Sequence, residues 1–188
     1  MMRRKSGKSR WTDVKDHLSR FERASLIDLL HDLYDASEDN RAFLHARFSV
    51  GTDVLEPYKK ALERWLRPDV TKPNQDVSVS KALKAISGYK KAVGDPEGLL
   101  DLMTSYCELA ALFTCDVGME GDSWFSALIR TFGGALKLAA SMDTERRAAF
   151  VHRLGKVRNI CSDLGWDVGG AIDDLWYQFD LEAPVSEQ

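Results

Sequence analysis

Apolar residues recur at helical spacing through most of this chain. Between residues 95 and 179 they return every three or four positions, in blocks separated by Asp, Gly and Pro, and no strand-like alternation interrupts them. The same spacing places Leu26, Leu29, Leu30 and Leu33 on one face of an earlier segment. Such periodicity is typical of amphipathic helices that bury one face. We therefore predict an all-α protein of about nine helices.

Capping residues and prolines set the expected helix ends. Thr12 is expected to be the N-cap of the first helix. Asp95-Pro96 is a strong start signal because the carboxylate can cap the helix and proline fits its first position. Gly133-Gly134, inside the seventh helix, predicts either a local weakness or a close approach of another helix. The helices are expected near residues 12–18, 22–36, 38–48, 55–66, 79–93, 96–117, 123–139, 144–164 and 166–179.

Two prolines and the lack of apolar periodicity mark residues 67–77 as a linker. The fifth to eighth helices form two predicted antiparallel pairs of about 45 residues each, the length of a HEAT or armadillo unit. This favours an N-terminal helical cluster followed by a HEAT-like stack of helix pairs. The predicted regions are a disordered basic tail (1–10), an N-terminal helical region (11–66), the linker (67–77), a repeat-like region (78–180) and a frayed tail (181–188).

Charge is segregated along the chain, although the net charge is only −3. Residues 1–10, 57–91 and 144–158 are mainly basic. The segment 95–122 carries seven acids and no Lys or Arg, and residues 163–188 carry seven acids and no basic residue. Blocks of opposite charge either form ion pairs between neighbouring helices or create separate electrostatic fields that attract binding partners. The first interpretation is favoured, because a folded chain pairs its own charges first.

The sequence predicts a soluble cytoplasmic protein. No apolar run approaches the roughly 18–20 residues that span a bilayer, and the basic N-terminus is not followed by an apolar stretch. The three cysteines form no CxxC pair and are odd in number, which argues against a disulfide framework. Cys107 and Cys115 lie eight positions apart, about two helical turns, and are expected to be buried on one face.

Motifs for catalysis, metal binding or nucleotide binding are missing from the sequence, so no cofactor or metal is predicted. The four histidines fit no zinc spacing. One carboxylate site remains as an alternative, with Glu108 and Asp116 meeting Asp163 or Asp173 from neighbouring helices. The sequence favours a non-enzymatic protein and keeps an unrecognised carboxylate enzyme as the third choice.

Several segments resemble an uncharacterised bacterial all-helical family, a domain of unknown function. The resemblance covers most of residues 12–179. The C-terminal half is also similar to helical segments that accompany SWIM-type zinc fingers, but the zinc-binding cysteines and histidine of such fingers are absent. The resemblance implies a helical fold and brings no activity, cofactor or site residue. It rests on residues 26–34, 40–48, 58–60, 68–69, 113–116, 163–166 and 175–179.

Two adjacent aromatic pairs, Trp124-Phe125 and Trp176-Tyr177, suggest a partner interface. Consecutive helical residues do not share a face, so at least one member of each pair is expected at the surface or at a helix seam. The favoured function is a module that binds a protein or peptide through its helical stack. Self-association through the same aromatic residues is left open.

A basic stripe gives the second function, association with nucleic acid. The stripe would combine the N-terminal tail with basic side chains of the fourth and fifth helices. The whole-chain pI of about 5.8 counts against a dedicated nucleic-acid binder. The candidate contacts are Lys59, Lys60, Arg64, Lys81, Lys84, Lys90 and Lys91.

Overall fold

The computed structural model describes residues 10–69, 76–165 and 167–179, which form nine α-helices and no strand. The prediction of an all-α fold is confirmed. Within these ranges no helix combines the length and the apolar character needed to cross a bilayer. The predicted C-terminal tail, most of the predicted N-terminal tail and the middle of the predicted linker lie outside the described residues. The helices are α1 (Trp11–Leu18), α2 (Arg23–Ala36), α3 (Glu38–Phe48), α4 (Glu56–Leu66), α5 (Val79–Ala92), α6 (Pro96–Val117), α7 (Asp122–Ala140), α8 (Thr144–Cys161) and α9 (Val168–Phe179).

The chain divides into two compact units, Met1–Arg41 and Ala42–Gln188. This division differs from the predicted one, which separated α4 from the helices after residue 77. The buried face of α4 packs on α5 and α6, and the rings of Tyr58 and Tyr89 meet edge to face at 5.4 Å. The helices on both sides of the predicted linker therefore belong to the same unit.

The helices of the second unit pack as two layers. In one layer α6 lies between α4 and α8; in the other, α7 lies between α5 and α9. Consecutive helices also pack between the layers, as expected for a helical stack. The two central helices, α6 and α7, hold half of the buried hydrophobic residues. In α7 the apolar residues at helical spacing are all buried, namely Trp124, Leu128, Phe132, Leu136 and Ala139.

Local side-chain hydrogen bonds explain where helices begin. Asp95 caps α6 as predicted, its Oδ2 accepting from the N–H of Gly98 at 2.8 Å, and Pro96 occupies the first turn. The expected cap of the first helix was wrong, because α1 begins one residue before Thr12 and Arg10 is its N-cap. The Arg10 N–H donates to the Asp13 carboxylate at 2.8 Å, which fixes the earlier start.

The glycine pair in α7 lies where other helices come close, which confirms one of its two predicted roles. A Cβ on Gly133 would stand 3.2 Å from Leu175 of α9, and one on Gly134 would stand 2.6 Å from the Met103 methyl group of α6. Glycine thus lets α7 approach helices of both layers.

The first unit holds no buried residue among residues 10–41. Leu26 and Leu29 are half-buried, whereas Leu30 and Leu33 are exposed, so the prediction of a fully buried face on α2 was wrong. Two short helices and the start of a third contain too little chain to enclose a core of their own.

Candidate partner-binding groove

Ion pairs hold the three helices of the first layer together. Arg153 of α8 donates to both carboxylate oxygens of Glu108 on α6, at 2.8 and 2.6 Å, and to Asp101 of α6 at 2.5 Å. Lys59 of α4 reaches the other oxygen of Asp101 at 2.5 Å. Asp101 therefore links α4, α6 and α8 through one carboxylate.

The environment of Asp101 favours its charged form. Partial burial alone would raise the pKa of this carboxyl, but hydrogen bonds from Lys59 and Arg153 outweigh burial and lower the pKa below its usual 3.8. The hydrogen bond to Glu108, and then the one to Asp101, raise the pKa of the Arg153 guanidinium. The network therefore favours the charged forms of both Asp101 and Arg153.

A groove of about 580 Å³ runs along α6 between α4 and α8, beside this network. Its apolar lining comes from α6 and α8. Val157 is buried, Leu109 and Ile160 are half-buried, and Leu112 is 40% exposed. The polar lining consists of Glu56, Lys59, Lys60, Glu63, Ser105, Glu108 and Lys156. The groove thus offers an apolar floor with charged walls.

Most charges of the groove are already paired. Lys60 contacts Glu56 at 2.8 Å, Lys59 contacts Asp101, and Glu108 contacts Arg153. Two charged side chains remain that form no ion pair with any residue the structure describes: Glu63 on the α4 wall and Lys156 on the α8 wall. These two charges, of opposite sign on opposite walls, are available to a partner.

A second hollow, of about 430 Å³, lies between α8 and α9. Its polar lining includes His152, Lys156 and Asn159, and Trp176 contributes an aromatic edge. Arg158 also lines it, but this guanidinium is held by Asp173 at 2.5 Å and by the Tyr177 hydroxyl at 2.9 Å. This hollow is smaller than the groove and lacks an aliphatic floor beyond Val151.

The two aromatic pairs occupy different environments. Trp124 and Phe125 are both buried, with Phe125 only 6% exposed, so this pair lies among packed helices and does not reach the surface. The reason is that α7 packs against four helices, α5, α6, α8 and α9, which cover more than one of its faces. Trp176 is 9% exposed and Tyr177 is 66% exposed, as expected for the second pair.

The predicted basic stripe is interrupted by ion pairs. Lys59 and Lys60 are neutralised by Asp101 and Glu56, as described above. Around Trp65, the Arg64 guanidinium lies 4.5 Å and the Lys81 ammonium 3.9 Å from the ring centre. Lys84, Lys90 and Lys91 are exposed on α5, a helix with no acidic residue.

Three carboxylates of the alternative enzyme site each pair with a different arginine. Glu108 contacts Arg153, Asp116 contacts Arg67 at 2.9 Å, and Asp173 contacts Arg158. Asp163 is exposed after the end of α8. Within the described ranges, His, Cys, Asp and Glu residues form no group of three able to hold a metal ion.

Sequence reasoning missed the groove, although one signal pointed to it. Residues 109–113 of α6 are all apolar, and five consecutive positions cover every side of a helix. Some of them must face a neighbour or the surface away from the main core. Leu112 is the one left exposed.

Comparison with family models, curated proteins and solved structures found no match to this chain. The resemblance to an uncharacterised bacterial family therefore stays a prediction. The function has to be argued from the groove and the charges around it.

Proposed function

We propose that this chain is a non-enzymatic interaction module that binds a protein or peptide in the groove between α4, α6 and α8. The observation that carries the proposal is the exposed Leu112 on an apolar floor, flanked by walls that each hold one charge with no ion-pair partner in the described part of the chain. Apolar contacts at a partly desolvated centre, surrounded by a polar rim, are what protein interfaces use for affinity.

The polar groups of the groove argue for a macromolecular partner over a small substrate. A volume of 580 Å³ falls in the range of about 300–1,000 Å³ found for ligand sites. Small-molecule sites also need several polar groups that converge on the ligand. Here Lys59, Lys60 and Glu108 bind other side chains of the protein, so few polar groups are left to orient a small molecule.

The test uses Leu112→Gln with a matched control on the same helix. Val117 is similarly exposed at 44%, and five helical positions turn it well away from Leu112, so Val117→Gln controls for the loss of an exposed apolar residue. Proteins retained from a lysate by the immobilised wild-type chain are identified and purified, and their affinities for all three chains are measured by calorimetry.

We expect the Leu112 substitution to weaken binding of the partner by roughly 1–2 kcal/mol, about fivefold to thirtyfold in Kd, because an apolar side chain at the centre of the contact is lost. The Val117 substitution should leave Kd unchanged. Equal retention of every captured protein by the Leu112 variant and the wild type would overturn the proposal.

Association with nucleic acid is the second candidate, and the composition of α5 favours it. This helix carries Lys81, Lys84, Lys90 and Lys91 and no acid. Lys90 and Lys91 form no ion pair with the described residues. Anisotropy of labelled DNA and RNA at about 50 and 200 mM salt tests this candidate, because phosphate contacts weaken steeply with salt. Binding that is unchanged when the four lysines are neutralised would reject it.

A further inference from the structure

We propose that the occupant of the groove is an amphipathic α-helix of a partner protein, with basic residues on the flank that faces α4 and acidic residues on the flank that faces α8. This inference rests on the proposed function and adds the class of the partner and its orientation.

The length of the groove fits two turns of helix. The lining residues of α4 extend from Glu56 to Glu63, and those of α6 extend from Ser105 to Leu112. Each span covers eight residues, and its ends are about 10 Å apart along the helix. A bound helix crosses that distance in two turns, so its anchors fall at positions i, i+4 and i+7, as in known helix-in-groove recognition.

The outer face of α6 can receive one helix. Since α6 lies between α4 and α8, and packed helices stand about 8–10 Å apart, the two flanking axes are separated by about 16–20 Å. Each flanking helix is about 10–12 Å wide, so the opening between their surfaces is narrower than a helix. An added helix would therefore rest above α6, across this opening, with its apolar stripe on Leu109, Leu112 and Ile160.

The unpaired charges set the polarity of the two flanks. Glu63 on the α4 wall favours a cation on the occupant, and Lys156 on the α8 wall favours an anion. Charges of this kind at the rim of an interface determine which partner fits more than they determine total affinity. The occupant is thus an amphipathic helix with Lys or Arg on one side of its apolar stripe and Asp or Glu on the other.

The same charges disfavour nucleic acid in this groove. Three glutamates offset the three lysines of its lining, so the groove lacks the excess of positive charge that binding to phosphates needs. A second copy of this chain is the remaining competitor. It is tested by sedimentation of the protein alone, where a dimer that dissociates on Leu112→Gln substitution would overturn the proposal of a partner helix.

The main experiment selects peptides from a randomised 16-residue phage library, not biased toward helix, on the full chain. A second selection uses the doubly reversed variant Glu63→Lys, Lys156→Glu, which leaves the net charge unchanged. Lys90→Glu, an exposed reversal on α5 in the other layer, controls for a charge reversal outside the groove. Kd values of the recovered peptides are then measured by fluorescence anisotropy against these three chains and against Leu112→Gln.

Wild-type selection should recover peptides with apolar residues at i, i+4 and i+7 and opposite charges on the two flanks. These peptides should bind the doubly reversed variant at least tenfold more weakly, whereas Lys90→Glu leaves their Kd unchanged. Peptides whose flanking charges are exchanged should prefer the reversed variant by a similar factor.

Three results separate the failure of this inference from the failure of the proposed function. Peptides that need Leu112 but ignore the double reversal would overturn the charge assignment and leave the groove as the binding site. Peptides that need Leu112 but lack the i, i+4, i+7 pattern, or no recovered peptide, would overturn the helical occupant. Peptides that bind Leu112→Gln as tightly as wild type would contradict the proposed function itself.

Discussion

Two neighbouring glycines in the first turn of α9 allow a close helix contact to be measured with an internal control. A Cβ built on Gly169 would stand 2.9 Å from the carbonyl oxygen of Cys161 and 3.1 Å from that of Ser162, at the end of α8. A Cβ on Gly170 would meet no atom within 4 Å. Neither glycine has a positive φ, so both positions accept alanine as far as the backbone is concerned.

The magnitude follows from comparing the two alanine variants. Each substitution gains about 0.5–1 kcal/mol, because alanine loses less backbone entropy in a helix than glycine does. Only Gly169→Ala adds a clash, and its neighbours are backbone atoms that cannot rotate away. Overpacking of this kind costs about 1–3 kcal/mol. The gain cancels in the difference, so Gly169→Ala should be less stable than Gly170→Ala by about 1–3 kcal/mol.

The assay is urea unfolding monitored by circular dichroism, and thermal unfolding is the second readout. For a chain of 188 residues, each kcal/mol corresponds to about 2–4 °C in Tm. Gly170→Ala should equal or exceed the wild-type free energy of unfolding, and Gly169→Ala should fall below that of Gly170→Ala. Equal stability of the two variants would refute the claim that α9 rests directly on the backbone at the end of α8.

Three further predictions concern buried or paired groups. Thr114→Val should lower the free energy of urea unfolding by about 1–3 kcal/mol, because the Trp124 indole N–H then loses its 2.9 Å acceptor; Thr114→Ser should retain most of the stability. The pKa of Asp101 is lower in the folded protein than in the unfolded chain, so its ion pairs stabilise the fold above about pH 4. This contribution is lost as the pH falls through the pKa of the folded state. Below pH 4, the urea midpoint of Asp101→Asn should therefore decline less steeply with falling pH than that of the wild type. Titration of thiols with Ellman's reagent at pH 8 should find one cysteine that reacts fast, the exposed Cys115. The other two react slowly, because burial raises the pKa of Cys161 to about 12 and that of Cys107 well above its usual range. Loss of the fast phase in Cys115→Ser checks the assignment.

The helical period was enough to predict where the core of the second unit lies. In α7 every expected inward residue is buried, because that helix packs against helices of both layers and its apolar positions have no choice of face. Asp95 and Pro96 also gave a correct helix start, since capping depends on residues a few positions apart. Signals of this kind depend only on residues that are close together in the sequence.

Predictions about exposure failed where they depended on neighbours that the sequence does not name. Cys115 was expected to share the face of Cys107, but eight residues at about 100° each leave it about 80° away, and it lies in the last turn of α6. Leu112 is exposed because α4 and α8 flank α6 without closing over it.

The segregation of charge was the feature of the sequence that led furthest towards the groove. The acidic helix α6 lies between the basic faces of α4 and α8, and Lys59, Arg146 and Arg153 each pair with a carboxylate of α6. This confirms pairing between helices as the favoured interpretation of the charge blocks. Partly exposed pairs of this kind add little net stability, because desolvation and side-chain ordering offset the attraction.

Pairing between helices nevertheless fixes how far apart α4, α6 and α8 stand. One carboxylate, Asp101, binds cations from both flanking helices, so the two walls of the groove are positioned from a single point on its floor helix. Rigid placement lowers the entropy that a partner must supply on binding. Glu63 and Lys156 then project from opposite walls whose separation is set, which is what allows their charges to distinguish one flank of a bound helix from the other.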